Sequence, residues 1–161
     1  MPKHIVILSS LDTKGEEAKY RKDLIESQGF KTILMDTSIG GEPALQPDIS
    51  SDEVARLGGG NIRDIRASRN TGQVTPIMIK GASTKVQELL AKGLLDGIIS
   101  FGGASNTTSA TSVMKALPFG VPKLMVSSTA SMPAYAAKYI GTKDITMMHS
   151  VVDISGLNDL T

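Results

Sequence analysis

The sequence contains no cysteine among its 161 residues. That absence excludes a disulfide framework, a thiolate metal site and a cysteine nucleophile. An excess of charge of one sign is also missing, because 17 Lys and Arg face 16 Asp and Glu, for a net charge of +1 at pH 7. This balance argues against a basic surface that follows phosphates or anionic lipid. We therefore predict neither a nucleic-acid partner nor a membrane partner.

Long apolar runs are missing too. No run approaches the roughly 20 apolar residues that a membrane-spanning helix needs. The apolar start of the chain is too short for a signal peptide and lacks a cleavage pattern. Hydrophobic residues make up 40% of the chain and charged residues 20%, which argues against disorder. The sequence thus predicts one cytoplasmic α/β domain over residues 1–161.

The first part of the chain has the pattern of a strand–helix–strand unit. His4–Ser9 contains a continuous apolar run, residues 5–8, which is typical of a strand buried on both faces of a parallel sheet. Thr13 and Glu16 have the spacing of a capping box, which predicts that a helix begins there. Gly29 is expected to end that helix, and Lys31–Asp36 is the second predicted strand.

The same alternation continues along the chain. A second capping box at residues 50–53 predicts a short helix. Residues 61–73 are predicted to form a mostly solvated helix or an ordered loop, and a short apolar segment, 76–80, precedes a helix that begins at Ser83. Further strands are expected at 98–101, 123–126 and 150–154, with a short segment at 145–148. This order predicts a doubly wound, mostly parallel Rossmann-like sheet with helices on both faces.

Ligands of such folds lie beyond the carboxyl ends of the strands. The strongest candidate there is the loop of residues 102–108, where two glycines allow close approach and a helix N-terminus follows. A phosphate or carboxylate fits that environment. The alternative is that Ser105 or Asn106 only caps the helix and that the glycines only make a tight turn. The candidate phosphate-binding residues are Gly102, Gly103, Ala104, Ser105, Asn106 and Thr107.

The loop after the first strand supplies a second set of candidates, Asp12, Thr13 and Lys14. Lys14 is predicted to neutralise phosphate charge, and Asp12 is a candidate to hold Mg²⁺ through water. The capping box alone would explain Thr13, but it leaves Asp12 and Lys14 unexplained.

Two further positions complete the predicted site. Asp36 ends the second strand, where dinucleotide-binding folds place an acid on the ribose, although a surface turn residue is the alternative. Ser128 and Thr129 either line the opposite wall with hydroxyls or cap the helix that begins at Pro133. The phosphate-loop, Gly-x-Gly-x-x-Gly and Gly-x-Ser-x-Gly patterns are absent, so the residues name no reaction, no catalytic group and no metal site.

Five short motifs in the same order along the chain carry a family resemblance. They span residues 11–17, 47–50, 117–127, 141–145 and 153–158. With them, the sequence resembles the N-terminal part of the Tm-1-like ATP-binding domain family, relatives of a tomato protein that resists tomato mosaic virus. The resemblance implies a Rossmann-like fold, ATP as the ligand and assembly as a dimer. Mg²⁺ is expected as a companion ion of the ATP. It brings no established reaction, so whether the chain is an enzyme stays open.

The resemblance also implies that residues 1–161 are the first half of a longer region. Family members carry a second Rossmann-like half and are often joined to a barrel-type domain. Two departures from the family pattern concern the predicted site: Asn106 replaces a small residue, and Met132 stands where a glycine is common.

Two main hypotheses follow, and a nucleotide-binding module is the first. The second is the half-site of a metabolic enzyme that acts on a small carboxylate or phosphorylated metabolite, with Asp12, Lys14 and Asp153 as acid–base candidates. A weaker third is an interaction domain with a Met-rich surface.

Overall fold

A single parallel sheet organises the protein. The structure, a computed structural model, describes residues 2–68 and 70–150. Five strands lie in the order β2-β1-β3-β4-β5, and every neighbouring pair is parallel. The strands are β1 (His4–Ser9), β2 (Lys31–Asp36), β3 (Gly97–Gly102), β4 (Lys123–Ser127) and β5 (Thr146–His149). The predicted fold class is confirmed, and the sheet is parallel throughout.

Helices cover both faces of this sheet, but unequally. Along the described residues they are α1 (Leu11–Ser27), α2 (Ser51–Gly58), α3 (Ile62–Ala67), α4 (Thr71–Ala91), α5 (Ala104–Met114) and α6 (Pro133–Ile140). Helix α1 packs on one face over Ile7, Leu34 and Phe101. The larger core lies on the other face, where α2 to α5 cover Val6 and Met125.

The start of α1 differs from the prediction. The helix begins at Leu11, and the side chain of its N-cap residue, Ser10, forms no capping hydrogen bond. Instead, the Leu11 N–H donates to Asp36 Oδ1 at 3.1 Å and the Asp12 N–H donates to Ser38 Oγ at 2.9 Å. The capping box predicted at Thr13 is therefore wrong, because side chains at and just after the end of β2 supply the cap.

The second capping box is confirmed. Ser50 Oγ accepts the Glu53 N–H at 3.2 Å, and α2 begins at the next residue. Gly59, with a φ of 89°, ends the helix in the left-handed conformation that favours glycine.

Helix α4 is longer than predicted. It begins at Thr71 rather than Ser83 and contains Pro76. The buried residues Val74, Met78 and Ala82 recur every four positions, so the apolar segment around Pro76 is the core face of a helix. The proline removes one intrahelical hydrogen bond, which the packing of this face offsets.

Of the remaining predictions of helices and strands, one is confirmed and one is not. For residues 61–73 the helix alternative is confirmed in α3, which buries Ile62 and Ile65. The strand predicted at 150–154 has only Ser150 within the described residues, and Ser150 is not in a strand. The edge strand is β5, which the short segment at 145–148 had indicated.

Glycines bring α2 and α4 into backbone contact. A Cβ at Gly81 would lie 1.8 Å from the Val54 carbonyl oxygen, and a Cβ at Gly58 would lie 2.0 Å from the Ile77 carbonyl oxygen. Real atoms do not approach so closely, so this crossing requires glycine at both positions.

Candidate functional site

The sheet order creates a topological switch point between β1 and β3. The chain leaves these neighbouring strands towards opposite faces, through α1 and through α5 respectively. Ligands of open α/β sheets bind in the crevice at such a point, beyond the carboxyl ends of the strands. The loops predicted after β1 and β3 therefore lie side by side.

A cleft of about 590 Å³ opens at this end of the sheet, between α4 and α5. Its volume lies within the usual range of roughly 300–1,000 Å³ for small-molecule sites. Apolar side chains form much of its wall, and hydroxyl groups and one ammonium group border it. Its lining includes Leu8, Ile39, Met78, Ile79 and Val113 on the apolar side, and Thr71, Thr75, Ser105, Asn106, Thr108, Ser109 and Lys138 on the polar side.

The N-terminus of α5 opens towards this cleft. Gly103 is the N-cap residue, no side chain in the described chain caps the helix, and its first turn holds no acidic residue. The first intrahelical bond runs from the Thr107 N–H to the Gly103 carbonyl at 2.9 Å. The amides of residues 104–106 precede it and have no intrahelical acceptor. The alternative in which Ser105 or Asn106 caps the helix is wrong.

The N-terminus of α4 borders the same cleft and also lacks a side-chain cap. Asn70 holds the N-cap position but forms no side-chain cap within the described residues, and the first turn again lacks an acid. Thr71 and Gly72 of that turn line the cleft. Two uncapped helix N-termini with favourable dipoles for an anion thus border one cavity.

The N-termini of α1, α2 and α3 differ, although Ser10, the N-cap residue of α1, also lines the cleft. Asp36 accepts the first amide of α1, Ser50 caps α2, and Asn61 Oδ1 accepts the Arg63 N–H of α3 at 2.8 Å. Each of these helices also has an acid in its first turn. Helix α6 has no side-chain cap either, but it begins at Pro133, which has no N–H, and its first turn does not line the cleft.

Gly102 and Asn106 close the loop between β3 and α5. A Cβ at Gly102 would lie 2.7 Å from the Asn106 Cβ, so this position requires glycine. The Asn106 Nδ2 donates to the Phe101 carbonyl at 2.6 Å and to Ser100 Oγ at 3.4 Å. Asn106 thereby fixes the first turn of α5 on the end of β3 while it borders the cleft.

A buried row of hydroxyl groups lies behind that turn. Thr107 Oγ1 is 2.7 Å from Ser127 Oγ, which is 3.1 Å from Thr129 Oγ1, which in turn is 3.0 Å from the Tyr139 hydroxyl. Thr107 and Thr129 therefore tie α5, β4 and α6 together and do not line the cleft. Ser128 also lies outside the cleft lining, and its N–H donates to the Gly102 carbonyl at 3.4 Å.

The predicted residues around the start of α1 also lie outside the cleft lining. Asp12 Oδ2 accepts the Gly40 N–H at 3.1 Å, which fixes the loop after β2. Thr13 is exposed, and its hydroxyl donates to the Ser10 carbonyl at 3.4 Å. Lys14 forms an ion pair with Glu17 at 3.4 Å.

Asp36 is fully buried and supports the start of α1. Its Oδ1 accepts the N–H groups of Leu11 and Ser38 at 3.1 and 2.9 Å. Its Oδ2 and the nearby Ser9 Oγ are buried without a hydrogen-bond partner among the described residues. The carboxylate predicted to meet a ribose thus lies beneath α1, away from the cleft surface.

Sequence reasoning missed Lys138 and the α4 residues. Lys138 borders the cleft from α6, beyond the reach of any local motif. A usable signal did exist for Thr108 and Ser109, because the hydroxyl-rich run of residues 105–112 places Ser105 and Ser109 four positions apart on one helix face. Of the predicted residues, Ser105 and Asn106 line the cleft.

Comparison with known proteins shows the family to which the chain belongs. Residues 3–161 match the N-terminal domain of the uncharacterised protein family UPF0261. The chain belongs to the UPF0261 family. A UPF0261 protein of Clostridium tetani is 46% identical over 161 residues, which are all of this chain and 39% of that relative. A UPF0261 protein of Rhizobium meliloti is 34% identical over 156 residues, 97% of this chain and 38% of that relative.

The relation to the tomato protein is partial. The ToMV susceptible protein tm-1(GCR26) of Solanum lycopersicum is 36% identical over 102 residues, which are 63% of this chain and 13% of that protein. The chain therefore spans about two fifths of the length of its UPF0261 relatives and a smaller share of the tomato protein. Along the described residues, no helix is long and apolar enough to cross a membrane.

The motif at residues 117–127 is the most specific one of the resemblance, and it has a structural role in this UPF0261 domain. Lys123 is buried at the start of β4, at the opposite end of the sheet from the cleft. Its Nζ donates to the carbonyls of Pro118 and Val121 at 2.8 Å each and to Asp144 Oδ1 at 2.7 Å. Asp144 Oδ2 accepts the Gly120 N–H at 2.8 Å. Hydrogen bonds from Lys123 and Gly120 hold the pKa of Asp144 below its ordinary value.

The described residues offer no cluster of three or more His, Asp or Glu side chains that could hold a metal ion.

Proposed function

We propose that this UPF0261 domain binds a nucleotide, ATP foremost, in the cleft between α4 and α5. The observation that carries the proposal is the convergence of two uncapped helix N-termini on one cavity at the switch point. Backbone amides and helix dipoles at such ends favour the oxygens of a phosphate group.

The parts of a nucleotide match the parts of the cleft. The phosphates would lie against the first turns of α4 and α5, where no carboxylate repels them. Lys138 would contribute the positive charge that the sequence had assigned to Lys14. The base would contact the apolar wall that includes Ile39, Met78 and Val113. Mg²⁺ would arrive with the phosphates, because Asp12 is engaged with Gly40 outside the cleft lining.

A small phosphorylated or carboxylated metabolite is the second candidate ligand. The same amides bind any compact anion, and most of each relative lies outside the matched region, so further residues of a complete site can come from there. In that case the domain is the half-site of an enzyme. Asp12 and Lys14 do not line the cleft, and Asp153 lies outside the described residues, so the acid–base groups would also come from elsewhere.

Isothermal titration calorimetry of the 161-residue chain separates the candidates. ATP, ADP and AMP, each with and without Mg²⁺, are compared with adenosine, inorganic phosphate and a three-carbon phosphorylated carboxylate. Tighter binding of ATP than of AMP, with weak binding of adenosine, supports the nucleotide. Binding of the small carboxylate alone favours the second candidate, and no heat from any ligand at millimolar concentration refutes both.

A further inference from the structure

The face of the sheet that carries α1 is covered over only part of its width. The connections α4, α5 and α6 follow one another on the opposite side, where α5 packs against both α4 and α6. Among the described elements only α1 packs on the first face, over Ile7, Leu34 and Phe101. The parts of β3, β4 and β5 beyond α1 therefore have no helix of the described chain above them.

We define this open face by Ile99, Leu124, Val126, Thr146 and Met148. The register pairs Leu124 with Thr146 and Val126 with Met148, so these side chains lie on one side of the sheet in adjacent rows. Met148 is 57% exposed, whereas Met125 and Met147 contact the core on the other side. The face is apolar at four of its five positions. Ile99 and Val126 pack partly against the core beneath α1, so the least covered part of the face lies towards Thr146 and Met148.

A groove of about 480 Å³ runs along this face beside α1. Ile25 and Phe30 border it from the helix side, and Ile99 and Leu124 form part of its floor. Phe30 is 40% exposed and Leu24, also on α1, is 51% exposed. The apolar surface thus extends from the open face onto the end of α1, as it would for a neighbouring element that packs beside this helix.

We propose that this open face is the docking surface for the polypeptide that follows the matched region in longer UPF0261 proteins, through an apolar helix side placed next to α1. The matched region is the N-terminal domain of the family, and it accounts for 39% of the Clostridium tetani relative. A following domain in the same chain is always present at high effective concentration, which a separate partner is not.

Sheet topology favours the same occupant. In a doubly wound sheet of order 2-1-3-4-5, the right-handed connections β2–β3, β3–β4 and β4–β5 place their helices on one face. The face of α1 is then completed by chain that follows the last strand. The occupant would bury Leu124, Val126 and Met148. This inference does not depend on the ligand proposed for the cleft, which lies on the other face.

The chain's lack of cysteine allows a direct test. Met148→Cys introduces a single thiol on the open face, and Met132→Cys introduces a matched control at a residue that is 46% exposed before α6. Each variant is made in the 161-residue chain and in a chimera in which this chain replaces the matched region of the Clostridium tetani relative. The rate of thiol labelling is measured in all four proteins.

The proposal predicts that the Met148→Cys thiol reacts about tenfold more slowly in the chimera than in the 161-residue chain, because docking buries it. The Met132→Cys thiol should react at similar rates in both. Equal rates for Met148→Cys in two folded proteins overturn the proposal. So does slow labelling that depends on the concentration of the 161-residue chain, because a second copy would then be the occupant.

A second variant keeps the test decisive if the cysteine perturbs the chimera. Leu124→Lys places a charge in the groove, which the 161-residue chain can hydrate and the docked chimera cannot. The melting temperature should fall more in the chimera than in the chain. An equal fall in both proteins contradicts docking on this face.

Discussion

Gly103 has no side chain that could cap α5, so the amides of the first turn are left without a side-chain acceptor at the N-cap position. Its φ of −78° is accessible to any residue, and a Cβ there would meet only Ser128 Oγ at 3.9 Å. A side chain is therefore tolerated at this N-cap position, and one that accepts hydrogen bonds would occupy the same amides as a bound anion.

We predict that Gly103→Asp stabilises the fold and weakens nucleotide binding by about tenfold, the equivalent of ~1.4 kcal/mol. The introduced carboxylate caps α5 and repels phosphate. Gly103→Ala is the matched control, because it adds the Cβ without the charge. Calorimetric titration with ATP measures the effect. Unchanged affinity in Gly103→Asp would move the phosphates away from α5.

The hydroxyl row has a fixed direction. Thr107 Oγ1 donates to the Gly103 carbonyl at 2.8 Å, so Ser127 must donate to Thr107, Thr129 to Ser127, and Tyr139 to Thr129. Ser127 Oγ also accepts the Thr129 N–H at 3.1 Å. Ser127 is thus the acceptor of two donors, whereas Tyr139 only donates at the end of the row.

We predict that Ser127→Ala lowers the free energy of unfolding by about 2 kcal/mol and Tyr139→Phe by about 1 kcal/mol. The first substitution leaves two buried donors of Thr129 without an acceptor, and the second removes one terminal donor. Urea unfolding followed by circular dichroism compares the two variants. A larger loss in Tyr139→Phe would contradict the direction inferred for the row.

The ion pair of Lys123 and Asp144 makes the stability of the fold depend on pH. Hydrogen bonds lower the pKa of Asp144 from its ordinary value of 3.8, so the folded state holds the carboxylate charged at lower pH than the unfolded chain does. The stabilisation is complete above the unfolded pKa and is lost as the pH falls through the folded pKa.

We therefore predict that Asp144→Asn melts at a lower temperature than the wild type at pH 7. The difference should begin to narrow below about pH 4, where the carboxyl of the unfolded wild type takes up a proton, and should shrink further as the folded carboxyl is protonated at lower pH. Melting curves between pH 7 and pH 3 test this. A constant difference across that range would show that the charge of Asp144 contributes nothing to stability.

At the level of single residues, the sequence predicts local roles better than distant ones. Ser50 and Glu53 are neighbours in the chain, and their cap formed as predicted. Asp36 caps a helix that begins 25 residues earlier, so only the parallel pairing of β1 and β2 reveals it. Lys138 has no local signal for the cleft, because the packing of α6 on α5 decides its position.

Among the elements, α2 and α4 are joined most closely. Their glycines allow the two backbones to touch, so their side chains do not separate the axes. This crossing holds α4 across the larger core, and the N-terminal turns of α4 reach from it to the cleft.

We predict that Gly81→Ala destabilises the protein by about 3 kcal/mol or more, because its Cβ collides with backbone and the helices must separate. Gly72→Ala, in the same helix, is the control. Its Cβ would lie 3.3 Å from the flexible Asn70 side chain, so stability should be unchanged or slightly higher. Denaturant unfolding measures both, and equal stabilities would contradict the close crossing.

The elements that sequence analysis misjudged share a cause. The apolar segment around Pro76 is short and bounded by a proline, which favours a strand or a break over a helix interior. Its true period appears only when Val74, Met78 and Ala82 are taken together with the core that they face. Strands β1 to β4 were predictable because burial on both faces leaves continuous apolar runs.

For the whole molecule, the fold class followed from the alternation of strands and helices, but the strand order did not. The order decides that the loops after β1 and β3 are neighbours, and that α4 and α6 reach the cleft. Of the twelve predicted site residues, Ser105 and Asn106 line the cleft and the other ten do not. The dimer implied by the resemblance stays a prediction, and light scattering at twice 17.0 kDa would support it.

The glycine crossing of α2 and α4 makes α4 a lever whose pivot lies more than two turns from its first turn, where the cleft begins. Gly72 lies nine residues from Gly81, a distance of roughly 14 Å along a helix axis. A tilt of about 10° at the pivot would then move the first turn of α4 by roughly 2 Å, more than a hydrogen bond tolerates. A methyl group at position 81 would thus be expected to change the affinity for any ligand that the first turn of α4 holds.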